Sequence, residues 1–118
     1  MRELMLHLPH LHVDAAGAPS FHASPLPLLS TITNHADETA ACINRGLSAI
    51  GSLVAYSTQE IEDGTIAYDA IESLGWLLAE LGAVAAHCLE LSAACRQARA
   101  AAESVEPSRQ FGAFTDPA

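Results

Sequence analysis

The 118-residue chain contains no lysine, and its five basic residues are all arginine. They face fourteen acidic residues, which leaves a net charge of −9. A chain with this balance is repelled by the phosphates of nucleic acids and by anionic lipid headgroups. We therefore expect no nucleic-acid partner and no membrane partner, and a basic protein surface is the better electrostatic match.

Cysteine is also scarce, because Cys42, Cys88 and Cys95 are the only three and no pair has a CxxC spacing. An odd number at these spacings argues against a disulfide framework and against a zinc ribbon. The helical positions of Cys88 and Cys95 predict buried structural thiols. A reducing, cytoplasmic environment fits this cysteine usage best.

Long hydrophobic runs are missing. The most apolar segment, residues 74–95, is interrupted by Glu80, His87 and Glu90. A membrane-spanning helix needs about 18 or more consecutive apolar residues, so we expect none here. At the N-terminus, histidines and Pro9 interrupt the apolar stretch that a signal peptide would require, so we expect no signal peptide.

Proline is concentrated at the start of the chain, where Pro9, Pro19, Pro25 and Pro27 precede residue 28. Because proline lacks a backbone N–H, residues 1–28 are predicted to form an irregular arm. The arm contains the stretch HLPHLHVD, with three imidazoles at positions 7, 10 and 12. Without a rigid framework these histidines should have only adventitious metal affinity.

Helical periodicity begins at residue 29. One set of apolar residues recurs at steps of three and four, as expected for one face of a helix over about residues 30–57. This set is Leu29, Ile32, Ala36, Ala40, Ile43, Leu47, Ile50 and Val54. Residues 58–64 include the turn-forming pair Asp63-Gly64, so the chain should reverse there.

A second, longer helix is predicted from about residue 65 to residue 103. Its core stripe also follows steps of four and three: Ala70, Leu74, Leu77, Leu81, Val84, Cys88, Leu91, Cys95, Ala98 and Ala102. Residues 104–118 contain two prolines and lose this period, so they are predicted to be a flexible tail. The fold class is therefore all-α, with an antiparallel helical hairpin over residues 29–103.

A stripe of small residues lies nearly opposite the core stripe, at Gly75, Ala79, Gly82 and Ala86. Glycine costs about 1 kcal/mol in a helix interior, and small residues allow another helix to approach closely. We take these four residues as a candidate dimer seam, although alanine also simply favours helices. A homodimer in which two hairpins form a four-helix bundle is the preferred assembly. A third helix from the arm is the alternative.

An acidic ridge lies between the two stripes and includes the only tryptophan. Its members are Asp69, Glu72, Trp76, Glu80, His87 and Glu90. Tryptophan is a frequent anchor at interfaces, and carboxylates around it would attract a basic partner. The ridge is the candidate partner-binding site, and an ordinary solvated helix face is the alternative interpretation.

Two HxxE spacings suggest a metal site as a second function. His35 with Glu38 and His87 with Glu90 would lie at similar heights on the two helices. Di-metal sites in helical bundles use glutamate and histidine three residues apart, projecting inward. Here the order is reversed and the side chains point sideways or outward, so ordinary solvated positions are the better interpretation.

No combination of nucleophile, base and orienting group can be placed together, so we expect no catalytic residues and no cofactor. Small acidic two-helix chains with proline-rich ends are common among bacterial and prophage-type proteins, but this likeness is one of composition without a motif. The sequence favours a non-enzymatic interaction protein, such as an adaptor, inhibitor, chaperone or regulator. A metal-binding helical bundle is the alternative.

Overall fold

The computed structural model describes the backbone of residues 1–114 and the side chains of residues 1–104. The elements are α1 (Arg2–His7), a 3-10 helix (Leu8–His10), α2 (Leu26–Tyr56), α3 (Thr58–Glu62) and α4 (Tyr68–Phe114). Residues 1–114 contain no strand, only one isolated bridge between Val13 and Pro19. The all-α prediction is confirmed.

The chain divides into two compact units. Unit 1 comprises Met1–Ala36 and the chain from Glu90 onward, and unit 2 comprises Asp37–Leu89. Both long helices therefore contribute to both units. Charge is distributed unequally between them, because residues 37–89 hold eight carboxylates and one arginine, a net charge of −7.

The predicted core stripe of α2 is confirmed along its whole length. Leu29, Ile32, Ala36 and Ala40 are buried, and the later members of the stripe are half-buried. The buried Thr33 hydroxyl on this helix is satisfied locally, since it donates to the Leu29 carbonyl at 2.8 Å. Fully burying one leucine or isoleucine contributes about 1.5–3 kcal/mol, so this stripe is a main source of stability in unit 1.

The buried face of α4 is rotated from the predicted one over the first half of the helix. Leu77 and Val84, predicted as core, are 52% and 36% exposed, whereas Ala85 and Ser92 are buried. Seven of the ten predicted core residues are buried or half-buried, and Ala70, Leu77 and Val84 are exposed. The covered positions include an unbroken heptad: Ile71, Leu74, Leu78, Leu81, Ala85, Cys88, Ser92, Cys95, Arg99 and Ala102. Apolar residues occupy more than one face of this helix, so two neighbouring stripes both show the steps of three and four expected for a buried face.

The N-terminal segment is more ordered than predicted. Residues 2–10 are helical, with Leu4 buried in α1 and Leu11 buried just beyond the 3-10 helix. Pro9 and Pro27 each stand in the first turn of a helix, where the missing N–H would have no partner in any case. In this segment proline therefore marks helix starts, and α2 begins at residue 26, four residues earlier than expected.

Residues 12–24 lie in the connection between α1 and α2 and form a loop that side-chain hydrogen bonds hold in place. The Asp14 carboxylate accepts hydrogen bonds from the backbone N–H groups of Ala16 and Ala18, at 2.9 and 3.0 Å. Gly17 has a φ of 84°, which a residue with a side chain rarely adopts. The buried Ser24 hydroxyl accepts from the His12 N–H and donates to the Ser20 carbonyl. These bonds satisfy polar groups that an irregular arm would leave to water.

The connection between α2 and α4 contains the predicted turn. Gly64 has a φ of 83°, as expected for the Asp63-Gly64 pair, and the short helix α3 precedes it. The backbone N–H of Thr65 donates a hydrogen bond to the Asp63 carboxylate at 2.8 Å. Because Thr65 donates hydrogen bonds from its side chain and its backbone, the pKa of Asp63 lies below its ordinary value.

Past residue 103, α4 continues as a helix to Phe114, across most of the segment that was predicted to be a flexible tail. Alanines and glutamates dominate residues 100–106, and both favour helices. The side chains after residue 104 and the last four residues of the predicted tail lie outside the described part of the chain.

Candidate functional site

All six members of the acidic ridge are exposed on α4. The Trp76 side chain is 69% exposed, an unusual situation for so large an apolar group. Five of the six residues belong to unit 2, and Glu90 belongs to unit 1. The structure thus presents the tryptophan and its neighbouring carboxylates to solvent, as a partner-binding site requires, and an ordinary solvated face would look the same.

The small-residue stripe is also open to solvent. Gly75, Ala79 and Ala86 are exposed, and Gly82 is half-buried. A Cβ atom built at Gly75 or Gly82 would meet nothing within 4 Å. Within the described residues, no other part of the chain approaches these two glycines, so the stripe is accessible to a second molecule.

An apolar pocket, which sequence analysis did not predict, lies in unit 2 where the end of α2, α3 and the start of α4 meet. Its volume is about 260 Å³. Eight of its nine lining residues are apolar, and Ser57 is the ninth; the apolar ones are Ile50, Leu53, Val54, Ile61, Ile66, Ala70, Ile71 and Leu74. The only sequence signal was a pair of isoleucines, at positions 61 and 66, in an otherwise polar connection.

Carboxylates flank the pocket-lining residues in the sequence. Glu60, Glu62, Asp63, Asp69 and Glu72 are all exposed, and each stands within two positions of a residue that lines the pocket. The only arginine in unit 2 is at position 45, far from this stretch in the sequence. An apolar cavity in a unit with a net charge of −7 favours a ligand that combines an apolar group with positive charge.

A group of potential metal ligands occurs in unit 1. Single ligand atoms of Glu3, His7 and His35 all lie within 4.8 Å of one another. Of the four residues predicted as a metal site, this group contains His35, while Glu38, His87 and Glu90 are exposed and lie outside it. Sequence spacing could not find the group, because it joins the N-terminal helix to α2 across more than twenty residues.

Cys88 and Cys95 are buried thiols, as predicted, and Cys42 is exposed. Burial raises the pKa of both the Cys88 and the Cys95 thiol, and a hydrogen bond with Thr33 offsets part of the increase at Cys95. A raised pKa reduces the thiolate fraction at neutral pH, and the thiolate is the reactive form. These two cysteines therefore have the properties of core residues.

Helix α4 is long and apolar enough over Tyr68–Ser104 to cross a membrane, judged by length and composition alone. Core helices of soluble proteins satisfy the same criterion, so this finding is weak evidence for a span. Comparison of the chain with protein-family models, with curated proteins and with solved structures finds no match.

Proposed function

We propose that the chain is a non-enzymatic helical interaction protein that binds a basic protein segment carrying apolar side chains. The observation that carries this proposal is the apolar pocket of unit 2 with its flanking carboxylates. The pocket supplies a site for an anchoring side chain, and the acidic surroundings attract the charge beside it. The exposed Trp76 and the carboxylates of the ridge add a second acidic surface on α4.

The size of the pocket favours an anchoring side chain over a small-molecule ligand. Sites for drug-sized ligands and cofactors have volumes of about 300–1,000 Å³ and carry several convergent polar groups. This pocket, at about 260 Å³, is smaller and is lined by one hydroxyl group. That hydroxyl, on Ser57, already donates to the Leu53 carbonyl at 2.7 Å. The lining therefore supplies no acid, base or nucleophile for catalysis, and the proposal includes none.

Electrostatics should govern both the rate and the selectivity of binding. With a net charge of −7, unit 2 attracts cationic segments over roughly a Debye length, about 8–10 Å at physiological salt. It repels nucleic acids and anionic lipid surfaces, so neither belongs to the proposal. The proposed compartment is the cytoplasm, because three free cysteines, of which Cys42 is exposed, fit a reducing environment.

We further propose that the two long helices form an antiparallel hairpin and that two copies form a four-helix bundle. The open stripe at Gly75, Ala79, Gly82 and Ala86 is the proposed seam. This dimer would not itself be the function, but it would present two acidic pockets in one assembly.

Salt separates the two kinds of association. Binding of a basic segment should weaken as salt rises, because attraction between opposite charges is screened. Dimerisation of two acidic chains should strengthen under the same conditions, because repulsion between like charges is screened. A single salt titration that follows both events therefore assigns each of them to its physical cause.

The experiment uses three synthetic helical peptides and fluorescence anisotropy. The first is a lysine peptide with leucine at steps of three and four, which line up on one face of a helix; the second replaces leucine by serine, and the third replaces lysine by glutamate. We expect binding of the lysine-leucine peptide only, with affinity falling between about 50 and 300 mM salt. Equal binding of the lysine-serine peptide would contradict the pocket as an anchor site, and binding of the glutamate peptide would contradict the role of charge.

Flotation with neutral phosphatidylcholine vesicles tests the alternative that the apolar helix α4 inserts into a membrane. A soluble interaction protein should stay in the aqueous fraction. Quantitative recovery of the chain with the vesicles would overturn the proposal, because α4 would then be covered by lipid.

A further inference from the structure

We infer that Glu3, His7 and His35 form a binding site for one divalent transition-metal ion of the Zn²⁺ type. The site lies in unit 1, and it joins α1 to α2. It is independent of the pocket in unit 2, so the proposed interaction and the metal site can succeed or fail separately.

The first argument is the arrangement of α1. Glu3 and His7 are four residues apart on this helix, so their side chains share one face. Burial of Leu4, at 4% exposure, fixes α1 against the rest of unit 1 and thereby fixes the direction of that face. The prolines had suggested an arm without a framework, but the helix and its buried leucine supply the framework that a metal site needs.

The second argument is the protonation of His7. Its Nδ1 lies 2.7 Å from the backbone carbonyl oxygen of Glu3. A carbonyl can only accept a hydrogen bond, so Nδ1 carries a proton, and in the neutral ring Nε2 is the nitrogen with the lone pair. Metal-bound histidines commonly donate their second ring N–H to a carbonyl or carboxylate in this way, which fixes the ring and its tautomer. His7 thus already has a supporting contact typical of a ligand.

The third argument is the position of His35. Its ring stacks on that of His7, with centroids 5.4 Å apart and an angle of 23° between the ring planes. Both rings are half-buried, while Glu3 is exposed. Two imidazoles from different helices therefore lie together with a carboxylate beside them. Neighbouring residues of a flexible segment would not hold this arrangement.

The distances allow closure around an ion. Tetrahedral zinc has bonds of about 2.0–2.1 Å, which places its ligand atoms about 3.3 Å apart. The ligand atoms of this group lie within 4.8 Å, so side-chain movements of about 1.5 Å suffice. The exposed Glu3 can move by a change of rotamer, and the His35 ring must turn out of the stack so that its lone pair converges with that of His7.

The ligand set selects the class of ion. Two imidazoles with one carboxylate suit Zn²⁺ and related divalent transition metals, and they leave one coordination position for water or a further ligand. Mg²⁺ and Ca²⁺ prefer a shell made of oxygen atoms, which this group does not offer. The probe is therefore Zn²⁺, with Mg²⁺ as the contrasting ion.

The test is zinc titration of the full-length chain without a histidine tag, followed by calorimetry and by elemental analysis after desalting. We expect one zinc ion per chain and no measurable magnesium binding. Zinc at 100 times its dissociation constant should raise the melting temperature of the chain by roughly 10 °C, because the ion holds two helices together. Absence of stoichiometric zinc would overturn the inference.

The variants H7Q, H35Q and E3Q should each weaken zinc binding by about tenfold or more. The matched controls are H10Q and H87Q, which change exposed histidines outside the group and should bind zinc as the original chain does. Because Glu3 is exposed, E3Q tests the site without disturbing the core. A loss in H10Q as large as that in H35Q would mean adventitious binding by the N-terminal histidines and would overturn the site.

Discussion

The buried hydroxyl of Ser92 leads to a quantitative prediction. Ser92 is 0% exposed, and its Oγ has no hydrogen-bond partner among the described residues. An unsatisfied buried hydroxyl costs about 1–3 kcal/mol, and serine is about 0.5 kcal/mol less favourable than alanine inside a helix. Removing one oxygen leaves only a small void, so Ser92→Ala should raise the free energy of unfolding by about 1–2 kcal/mol.

The matched control is Ser73→Ala, which changes an exposed serine of the same helix and should gain only the helix-propensity term of about 0.5 kcal/mol. Urea unfolding followed by circular dichroism at 222 nm measures both variants. The difference between them isolates the cost of the buried hydroxyl. If Ser92→Ala is no more stable than Ser73→Ala, the Ser92 hydroxyl is satisfied by water or by a carbonyl, and the reasoning is refuted.

Three further predictions concern thiols, turns and assembly. At pH 8, iodoacetamide should label Cys42 and leave Cys88 and Cys95 unmodified, as read by mass spectrometry. Because folding raises the pKa of both buried thiols, their contribution to the free energy of unfolding is present below about pH 8.5 and falls as the pH rises further. Gly64→Ala should lower the free energy of unfolding by about 1 kcal/mol because of its positive φ, whereas Gly51→Ala, inside α2, should raise it by a similar amount. Gly82→Leu should convert a dimer into a monomer in light scattering, and a monomeric starting chain would contradict the proposed bundle.

The sequence predicted α2 well because its apolar residues occupy a single narrow stripe. Most other positions on that helix are polar or small, so the stripe from Leu29 to Val54 is buried or half-buried as expected. For α4 the same rule failed in part. Leu77 and Ile71 are both apolar and lie on opposite sides of Cys88 around the helix axis. Only packing decides which of the two is covered.

The N-terminal segment shows a different limit. Prolines were taken as helix breakers, but Pro9 and Pro27 occupy first turns, which a list of residue types cannot distinguish from helix interiors. The loop from His12 to Ser24 depends on side-chain hydrogen bonds by Asp14 and Ser24, and such bonds have no periodic signature. These contacts turn an apparent arm into part of unit 1.

The candidate sites were predictable only where they lie on one helix. The exposed ridge around Trp76 follows from helical spacing alone, whereas the unit 2 pocket needs three elements and the Glu3, His7 and His35 group needs two. Residues distant in sequence meet through tertiary packing, which local spacing does not encode.

One matched pair of variants tests the proposed function most directly. Ile66 lines the pocket, and its neighbour Ala67 is exposed and does not. Ile66→Asp and Ala67→Asp add the same charge one residue apart, with folding checked by circular dichroism. A buried aliphatic anchor contributes about 1.5–3 kcal/mol, so Ile66→Asp should weaken lysine-leucine peptide binding by more than about tenfold, beyond any effect of Ala67→Asp. Equal affinities for the two variants would contradict the pocket as the binding site.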